Sequence, residues 1–355
     1  MLLFEKRKEE ICIETPKGIS YHAKIEEISR GESFVSCAVR KDGGDDPDIT
    51  NGILIFSRVS FKKEDSQKGP LVKIEGGRGV GRVTKPGLDQ EVGNAAINRV
   101  PRQMIEKEVL EICETADFHG ELRVEISVPE GEKIAEQTFN PRLGILGGIS
   151  IIGSSGIVEP MSSRALLETI RVELRQKRAE GARCAAVSPG NYGLDYMKKT
   201  YHYDLDKSVK CSNFIGDTVD MAAEFGFESV LLTGNIGKLV KIAGGIMNTH
   251  SAQGDCRMEL LAAAALRAGV STKMLLAILD CVMTDEALRL IDEEGKLRAA
   301  MQILLEKIMF YLRKRAAGRL EVECIVYSNK FGELAKSEGA EKWLTLLVQD
   351  QEQQI

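Results

Sequence analysis

The chain has 355 residues, of which 43% are hydrophobic and 28% are charged, and its formal net charge is −5. This composition supports a packed core and excludes a disordered chain, while the acidic balance argues against a nucleic-acid-binding domain. No apolar run reaches the roughly 18 residues that a membrane span requires, and the N-terminus lacks the apolar core of a signal peptide. We therefore expect a cytoplasmic protein that contacts neither nucleic acid nor membrane and contains one large domain or two.

The eight cysteines are scattered, and none stands in a Cys-x-x-Cys pair. This spacing suggests neither a zinc site nor a disulfide framework. With four histidines in the chain, a histidine-rich metal site is not expected either. We therefore predict reduced thiols packed as small apolar groups.

Short strands dominate the first part of the chain, residues 1–140. Apolar residues alternate on both sides of Pro16-Lys17-Gly18, which predicts a hairpin. Further strands are predicted at 34–39, 53–59, 71–74 and 122–128, and a helix is predicted to begin near Pro101. This region is expected to be an α+β domain with antiparallel strands.

Strand–loop–helix units follow in residues 141–345. Strands are predicted at 149–152, 183–187, 229–232 and 320–326, each followed by a loop and a helix. Such alternation predicts an α/β domain with a mainly parallel sheet, in which the loops after the strands gather at one edge and bind ligands. Residues 346–355 are expected to form a frayed tail.

Three of these post-strand loops are polar and rich in glycine. They contain Gly153, Ser154, Ser155 and Gly156, then Pro189, Gly190 and Asn191, and then Gly234, Asn235 and Gly237. Three such loops at one predicted edge favour a nucleotide-like ligand, although tight turns alone also need glycine. The third is not a phosphate-binding P-loop, because Leu239 stands where a magnesium-binding hydroxyl belongs.

Charged residues outside these loops leave alternatives open. The turn with Asp42, Asp45, Asp46 and Asp48 could hold a hard cation or cap backbone N–H groups, and its spacing favours capping. The basic residues between 78 and 102 suit a polyanionic small molecule or a solvated surface: Arg78, Arg82, Lys85, Arg99 and Arg102. His250 could act as a general acid or base or cap a helix start.

Four ordered stretches carry a specific resemblance. Residues 41–52, 93–102, 147–162 and 234–251 resemble the CbiD family, the cobalt-precorrin-5B C1-methyltransferases of anaerobic cobalamin (vitamin B12) biosynthesis. The similarity extends from about residue 10 to the end of the chain. The resemblance implies methyl transfer from S-adenosylmethionine to ring carbon C1 of a cobalt-bound corrinoid.

The resemblance also implies roles for the candidate residues. Residues 141–345 would bind S-adenosylmethionine through the three loops and Glu159, which could hydrogen-bond a ribose hydroxyl. Residues 1–140 would contact the corrinoid, which is expected between the two domains, through Lys41, Asp42, Arg78, Asn94, Asn98 and Arg102. Asp45, Asp46 or His250 could transfer a proton to or from the macrocycle. The protein needs no metal of its own, because cobalt arrives inside the substrate.

Two departures from the family pattern keep an alternative open. Residues 1–30 contain no segment like the Gly-Tyr-Thr-Thr-Gly with which the family opens, and Asn235 stands where the family often has His. An asparagine can hydrogen-bond but cannot shuttle a proton. The alternative is a non-catalytic corrinoid-binding or carrier protein. The sequence leaves the oligomeric state open, and a homo-oligomer is compatible with it.

Overall fold

A computed structural model of the chain describes residues 1–44, 49–65, 70–153, 156, 163–190 and 194–352. The fold is mixed α/β, with parallel and antiparallel strands in several sheets. Contacts divide the chain into two compact units, Met1–Ser162 and Ser163–Ile355. Within the described ranges, no helix combines the length and apolar character needed to cross a membrane.

The first unit is built mainly from strands. In chain order its elements are β1 (Glu10–Glu14), β2 (Ser20–Arg30), β3 (Phe34–Arg40), β4 (Leu54–Asp65), β5 (Leu71–Gly76), β6 (Gly79–Val80), β7 (Arg82–Val83), α1 (Arg99–Thr115), β8 (Gly120–Ser127), α2 (Gly131–Ala135), β9 (Ile145–Leu146) and β10 (Gly148–Ile149).

A six-stranded sheet with the order β1-β2-β3-β4-β8-β5 forms the body of this unit. The predicted hairpin is confirmed, because β1 pairs antiparallel with β2 and places Ile11 opposite Ala23. All pairs are antiparallel except β5 with β8, which run parallel. The core beneath the sheet includes Ile97, Val124 and Val128. The antiparallel character expected from the alternating strands is thus observed.

Two very small sheets join the sheet to the segment around residue 150. β6 pairs parallel with β10, and β7 pairs antiparallel with β9. Backbone approach is close here, because a Cβ built on Gly79 would lie 1.7 Å from the carbonyl oxygen of Val128. Gly79 also has a φ of +72°, a conformation that glycine adopts without the steric cost of a side chain.

This pairing corrects one prediction. The strand expected at 149–152 is only partly formed, and β10 belongs with β6 in the first unit rather than with the parallel sheet of the second. Ile151 makes only an isolated bridge to Ile97, and Ile152 is exposed. A short apolar run has no local feature that specifies which sheet it joins.

The second unit alternates helices and strands. Its elements are α3 (Ser163–Ala179), β11 (Cys184–Ser188), α4 (Leu194–Tyr201), β12 (Val209–Lys210), α5 (Ile215–Glu224), β13 (Ser229–Asn235), α6 (Ile236–Leu239), α7 (Arg257–Arg267), α8 (Thr272–Leu279), α9 (Thr284–Glu293), α10 (Leu297–Ala316), β14 (Glu321–Ser328), β15 (Gly332–Lys336) and α11 (Ala340–Glu352).

The predicted parallel sheet is confirmed in this unit. Its order is β12-β11-β13-β14-β15, with parallel pairing except between β14 and β15. β12 and β15 were not predicted. β12 has only two residues, and β15 lies where the chain was expected to pass from β14 through a loop to the last helix. Helix α11 continues to Glu352 with Leu347 buried, so residues 346–352 are helical where a frayed tail was expected.

Side chains alternate between the two faces of this sheet. Ala185 and Val187 of β11 join the larger core with α3, α5, α7 and α10. Cys184 and Ala186 join a smaller core with α4 and α11. The connection that leaves β11 for β12 therefore passes over one face, and the connection that leaves β13 for β14 passes over the other. This change of face makes the β11–β13 junction a topological switch point.

Candidate functional site

The candidate site of the second unit is the crevice at the carboxyl ends of β11 and β13. In open α/β sheets, ligands bind outside the carboxyl ends of strands at such a switch point. Ser188 ends β11 and is followed by Pro189 and Gly190. Asn235 ends β13 and is followed shortly by Gly237 and Lys238. The structure therefore brings together two of the three predicted glycine loops.

Lys238 spans this crevice. Its Nζ donates to the carbonyl oxygen of Pro189 at 3.0 Å and to that of Ser212 at 3.4 Å. Ser212 is a non-glycine residue with a φ of +51°, a conformation that costs about 1–2 kcal/mol and often marks functional positions. Burial lowers the pKa of Lys238, while the neighbouring thiol of Cys211 opposes that shift and Lys241 adds to it.

Asn235 caps the short helix α6. Its side-chain oxygen accepts the backbone N–H of Gly237 at 2.9 Å, the usual way in which Asn satisfies an unpaired helix N–H. The two amide N–H donors of Asn235 have no partner in the described part of the chain and are available to a ligand.

A carboxylate also stands at this edge of the sheet. Ser328 at the end of β14 donates its hydroxyl to Asp285 Oδ1 at 2.8 Å. Asp285 is the second residue of α9, and Thr284 beside it approaches Gly237. The crevice thus combines an ammonium group, an amide and a carboxylate, which are the polar groups needed to orient a nucleoside carrying an anionic end.

Lys241 follows Lys238 by one helical turn and is 5% exposed. Its Nζ donates to the carbonyl oxygens of Thr249 at 3.3 Å and Gly254 at 2.9 Å. Thr249 is joined in turn to Asn213, whose backbone carbonyl accepts the Thr249 N–H at 2.9 Å. These contacts hold the segment 249–254 against the 3-10 helix that contains Lys241.

His250 is exposed and begins the 3-10 helix Ser251–Gln253. Its Nδ1 accepts the backbone N–H of Ala252 at 3.1 Å. A neutral imidazole in this arrangement carries its proton on Nε2. The capping role that the sequence left open is therefore present, and a proton role for His250 stays a prediction.

Arg102 of the first unit contacts main chain rather than solvent. Its guanidinium donates to the carbonyl oxygens of Ile97 at 2.8 Å, Ile74 at 2.9 Å and Ala95 at 3.4 Å. Arg102 therefore joins β5 to the segment that precedes α1. Its donors are largely committed to the fold, which makes it a supporting residue of this surface.

The other substrate candidates of the first unit fall into two groups. Arg78, Asn94 and Asn98 have side chains without a hydrogen-bond partner among the described residues, and Arg78 and Asn94 are exposed. Lys41 donates to the hydroxyl of Thr50, and Asp42 accepts the backbone N–H of Gly44 at 2.9 Å. The Asp42 contact is the turn-capping role that the spacing favoured.

Several predicted residues have their described contacts elsewhere or lie outside the described ranges. Gly153 lies against Pro101 in the first unit, because its strand joins β6, and Gly156 lies against Thr15 and Pro16. Gly234 is buried against Leu239, so it shapes the α6 turn. Ser154, Ser155, Glu159, Asn191, Asp45, Asp46 and Asp48 fall outside the described residues.

The sequence analysis missed Lys238, Lys241 and Asp285. Lysines are rarely buried, so a lysine in a helix was not a site candidate. Their position in the sequence could have identified the two lysines. Lys238 comes three residues after the end of β13, and Lys241 follows one helical turn later. Two surface cavities elsewhere, along α1 near Gln103 and beside α10 near Phe310, contain none of the crevice residues.

The fold and this crevice define a ligand-binding α/β protein, and comparison with known proteins gives its family. The family models described as "CbiD" and "CbiD, C-terminal domain" match residues 1–160 and 248–338. A protein from Ruminiclostridium cellulolyticum named cobalt-precorrin-5B C(1)-methyltransferase is 46% identical over 334 residues, which are 94% of this chain and 85% of that protein.

A protein of the same name from Alkaliphilus metalliredigens is 42% identical and spans 98% of this chain and 90% of its own length. The chain therefore belongs to the CbiD family. A crystal structure of the cobalamin biosynthesis protein cbiD from Archaeoglobus fulgidus covers 68% of this chain and 72% of its own, with 24% identity and a TM-score of 0.34.

Proposed function

We propose that this protein is a cobalt-precorrin-5B C(1)-methyltransferase that acts in the cytoplasm and takes its methyl group from S-adenosylmethionine. The observation that carries this function is the 46% identity, over nearly the whole chain, to a relative of that name. Relatives at 42% and 41% identity bear the same name.

The switch-point crevice of the second unit is the proposed site of the methyl donor. Its polar groups fit the donor: Lys238 offers a cation for the amino-acid carboxylate, and Asn235 offers amide donors. Asp285 is a carboxylate that could accept a ribose hydroxyl, the part earlier assigned to Glu159. When bound, S-adenosylmethionine supplies an electrophilic methyl group on a positively charged sulfur.

The first unit is the proposed contact surface for the corrinoid. Arg78 presents an uncommitted guanidinium, which binds carboxylate arms through paired hydrogen bonds. Asn94, Asn98, Lys41 and Asp42 would add polar contacts. Arg102 would position this surface through its three carbonyl contacts.

Methyl transfer to carbon needs alignment and exclusion of water more than a strong nucleophilic side chain. The chain's contribution is thus to bind and orient the two reactants. We propose Asp45, Asp46 or His250 as the group that transfers any proton to or from the macrocycle. For His250, the free position is Nε2, because Nδ1 accepts the Ala252 N–H.

A labelling experiment tests this function. The purified protein is incubated with cobalt-precorrin-5B and S-adenosylmethionine that carries ¹³C in its methyl group. We expect one labelled methyl group on ring carbon C1, detected by mass spectrometry and ¹³C NMR, and one S-adenosylhomocysteine released per methyl transferred. Corrinoid binding without label transfer, and without binding of the methyl donor, would instead establish the carrier function.

A further inference from the structure

The ammonium groups of Lys238 and Lys241 lie near the switch-point crevice, where the carboxylate of Asp285 accepts from Ser328 rather than from a lysine. Lys238 and Lys241 are three positions apart, which places them on one side of the helical segment after β13. Neither forms an ion pair within the described ranges of the chain. Each donates to two main-chain carbonyl oxygens instead. An ammonium group has three donors, so each lysine keeps one N–H in reserve.

Two acidic groups that interact electrostatically with these lysines are already committed or neutral. Asp255 is held by Arg257 at 2.7 Å and 2.8 Å, with one of its oxygens on each nitrogen. The thiol of Cys211 is fully buried, and burial raises its pKa to about 12, so it stays uncharged at neutral pH. The positive charge at the crevice is therefore not balanced by these neighbours.

Buried or half-buried charges are normally paired in folded proteins. Lys241 is 5% exposed and follows Lys238 by one helical turn, so it adds positive potential at Lys238 with little exposure of its own. Lys238 is half-buried, so its remaining donor can meet a ligand. Carbonyl oxygens lower the cost of burying these cations but do not neutralise them.

We infer that Lys238 and Lys241 form a carboxylate-binding subsite at the β11–β13 switch point, with Lys238 as the contacting group and Lys241 as a positioning residue. The inference rests on the proposed function, which supplies two sources of carboxylate. One is the amino-acid end of the methyl donor, and the other is an acetate or propionate arm of the corrinoid. Loss of a charge-assisted hydrogen bond of this kind weakens binding by about 10- to 100-fold.

The first arm of the test uses the donor product. Isothermal titration calorimetry compares S-adenosylhomocysteine with 5′-methylthioadenosine, which keeps the adenosine and thioether but lacks the carboxylate. We expect Lys238→Met to weaken S-adenosylhomocysteine about 10- to 100-fold and 5′-methylthioadenosine by less than about threefold. Lys238→Arg should retain most of the affinity. Lys273→Met removes an exposed lysine of α8 without a described partner and should change nothing.

The second arm uses cobyrinic acid and its fully methylated ester. A Lys238→Met effect confined to the acid would place a corrinoid arm in the subsite, and one confined to S-adenosylhomocysteine would place the donor there. Unchanged binding of both carboxylates in a folded Lys238→Met protein overturns the subsite and leaves the proposed function intact. A wild-type protein that binds cobyrinic acid but no S-adenosylhomocysteine contradicts the proposed function alone, and one that binds neither overturns both.

A measurement on the wild-type protein guards against a variant that fails to fold. Acetylation of lysines is followed by mass spectrometry with and without each ligand. Lys238 should be protected by S-adenosylhomocysteine or cobyrinic acid but not by 5′-methylthioadenosine or the ester, while Lys273 should be modified equally throughout. Equal modification of Lys238 in every sample would count against the subsite.

Discussion

The side-chain oxygen of Asn235 accepts the backbone N–H of Gly237 at 2.9 Å. This contact turns the chain from β13 directly into α6, and so places Lys238 across the crevice from Pro189. The cap therefore links the local stability of one helix to the geometry of the candidate site.

Replacement of Asn235 tests that link. Asn235→Ala removes the acceptor and should lower the free energy of unfolding by about 1 kcal/mol. Asn235→Asp keeps the acceptor and should restore most of this stability, although it removes the two amide donors. Urea denaturation measures the stability. Titration with S-adenosylhomocysteine measures how much the two amide donors contribute to binding affinity. An Asn235→Ala protein as stable as the wild type would show that the cap is not formed.

The close approach of Gly79 in β6 to the backbone of Val128 should leave no room for a side chain. Gly79→Ala would place a Cβ 1.7 Å from the Val128 carbonyl oxygen at a φ of +72°, and should cost about 3 kcal/mol of stability or prevent folding. Gly93→Ala is the matched control, because Gly93 has a φ of +94° but open space around it. Its expected cost is about 1 kcal/mol. Equal changes in melting temperature for the two variants would contradict the close backbone approach at Gly79.

Local periodicity predicted much of this fold. The β1–β2 hairpin, the helix that begins near Pro101 and the parallel strands β11, β13 and β14 all have a pattern that is complete within a few residues. What failed was pairing over long distances in sequence. β10 joins β6, about 70 residues away, and nothing in its two residues specifies that partner.

In the candidate site too, local features could be predicted from the sequence, and contacts between distant segments could not. The loops at Pro189–Gly190 and Asn235–Gly237 could be predicted, because they follow strands. The role of Arg102 could not, because its carbonyl partners are contributed by β5 and by the segment before α1. Lys238 was missed for the same reason, since its contacts lie 26 and 49 positions away.

Buried thiols should make the protein less stable at alkaline pH. Burial raises the pKa of Cys184 to about 11 and of Cys211 to about 12, from an ordinary value of 9.0. Below pH 9 both folded and unfolded chains keep these protons, so stability is unaffected. Above it the unfolded chain loses them and the folded chain does not, so stability falls by roughly 1.4 kcal/mol per thiol for each pH unit.

Free energies of unfolding at pH 8 and pH 10 check this expectation. The two thiols together should account for a decrease of about 3 kcal/mol. A protein with Cys184→Ala and Cys211→Ala lacks both groups, so its decrease should be smaller by that amount, whatever the other titrating residues contribute. Parallel pH profiles for the two proteins would contradict the assigned pKa shifts.

Substitutions of Arg78 and Arg102 should distinguish a residue that contacts substrate from one that supports the structure of the first unit. Arg102→Met removes the guanidinium donors of three carbonyl oxygens and should lower the free energy of unfolding by about 2–3 kcal/mol. Arg78→Met removes an exposed guanidinium without a described partner, and should change stability by less than about 0.5 kcal/mol. Because Arg78 is the uncommitted cation, the same substitution should weaken cobyrinic acid binding about tenfold.

The methyl ester of cobyrinic acid is the matched control ligand, and it should bind the wild-type and Arg78→Met proteins alike. A stable Arg78→Met protein with unchanged affinity for cobyrinic acid would remove Arg78 from the proposed substrate surface, whereas an equally stable Arg102→Met protein would contradict the supporting contacts.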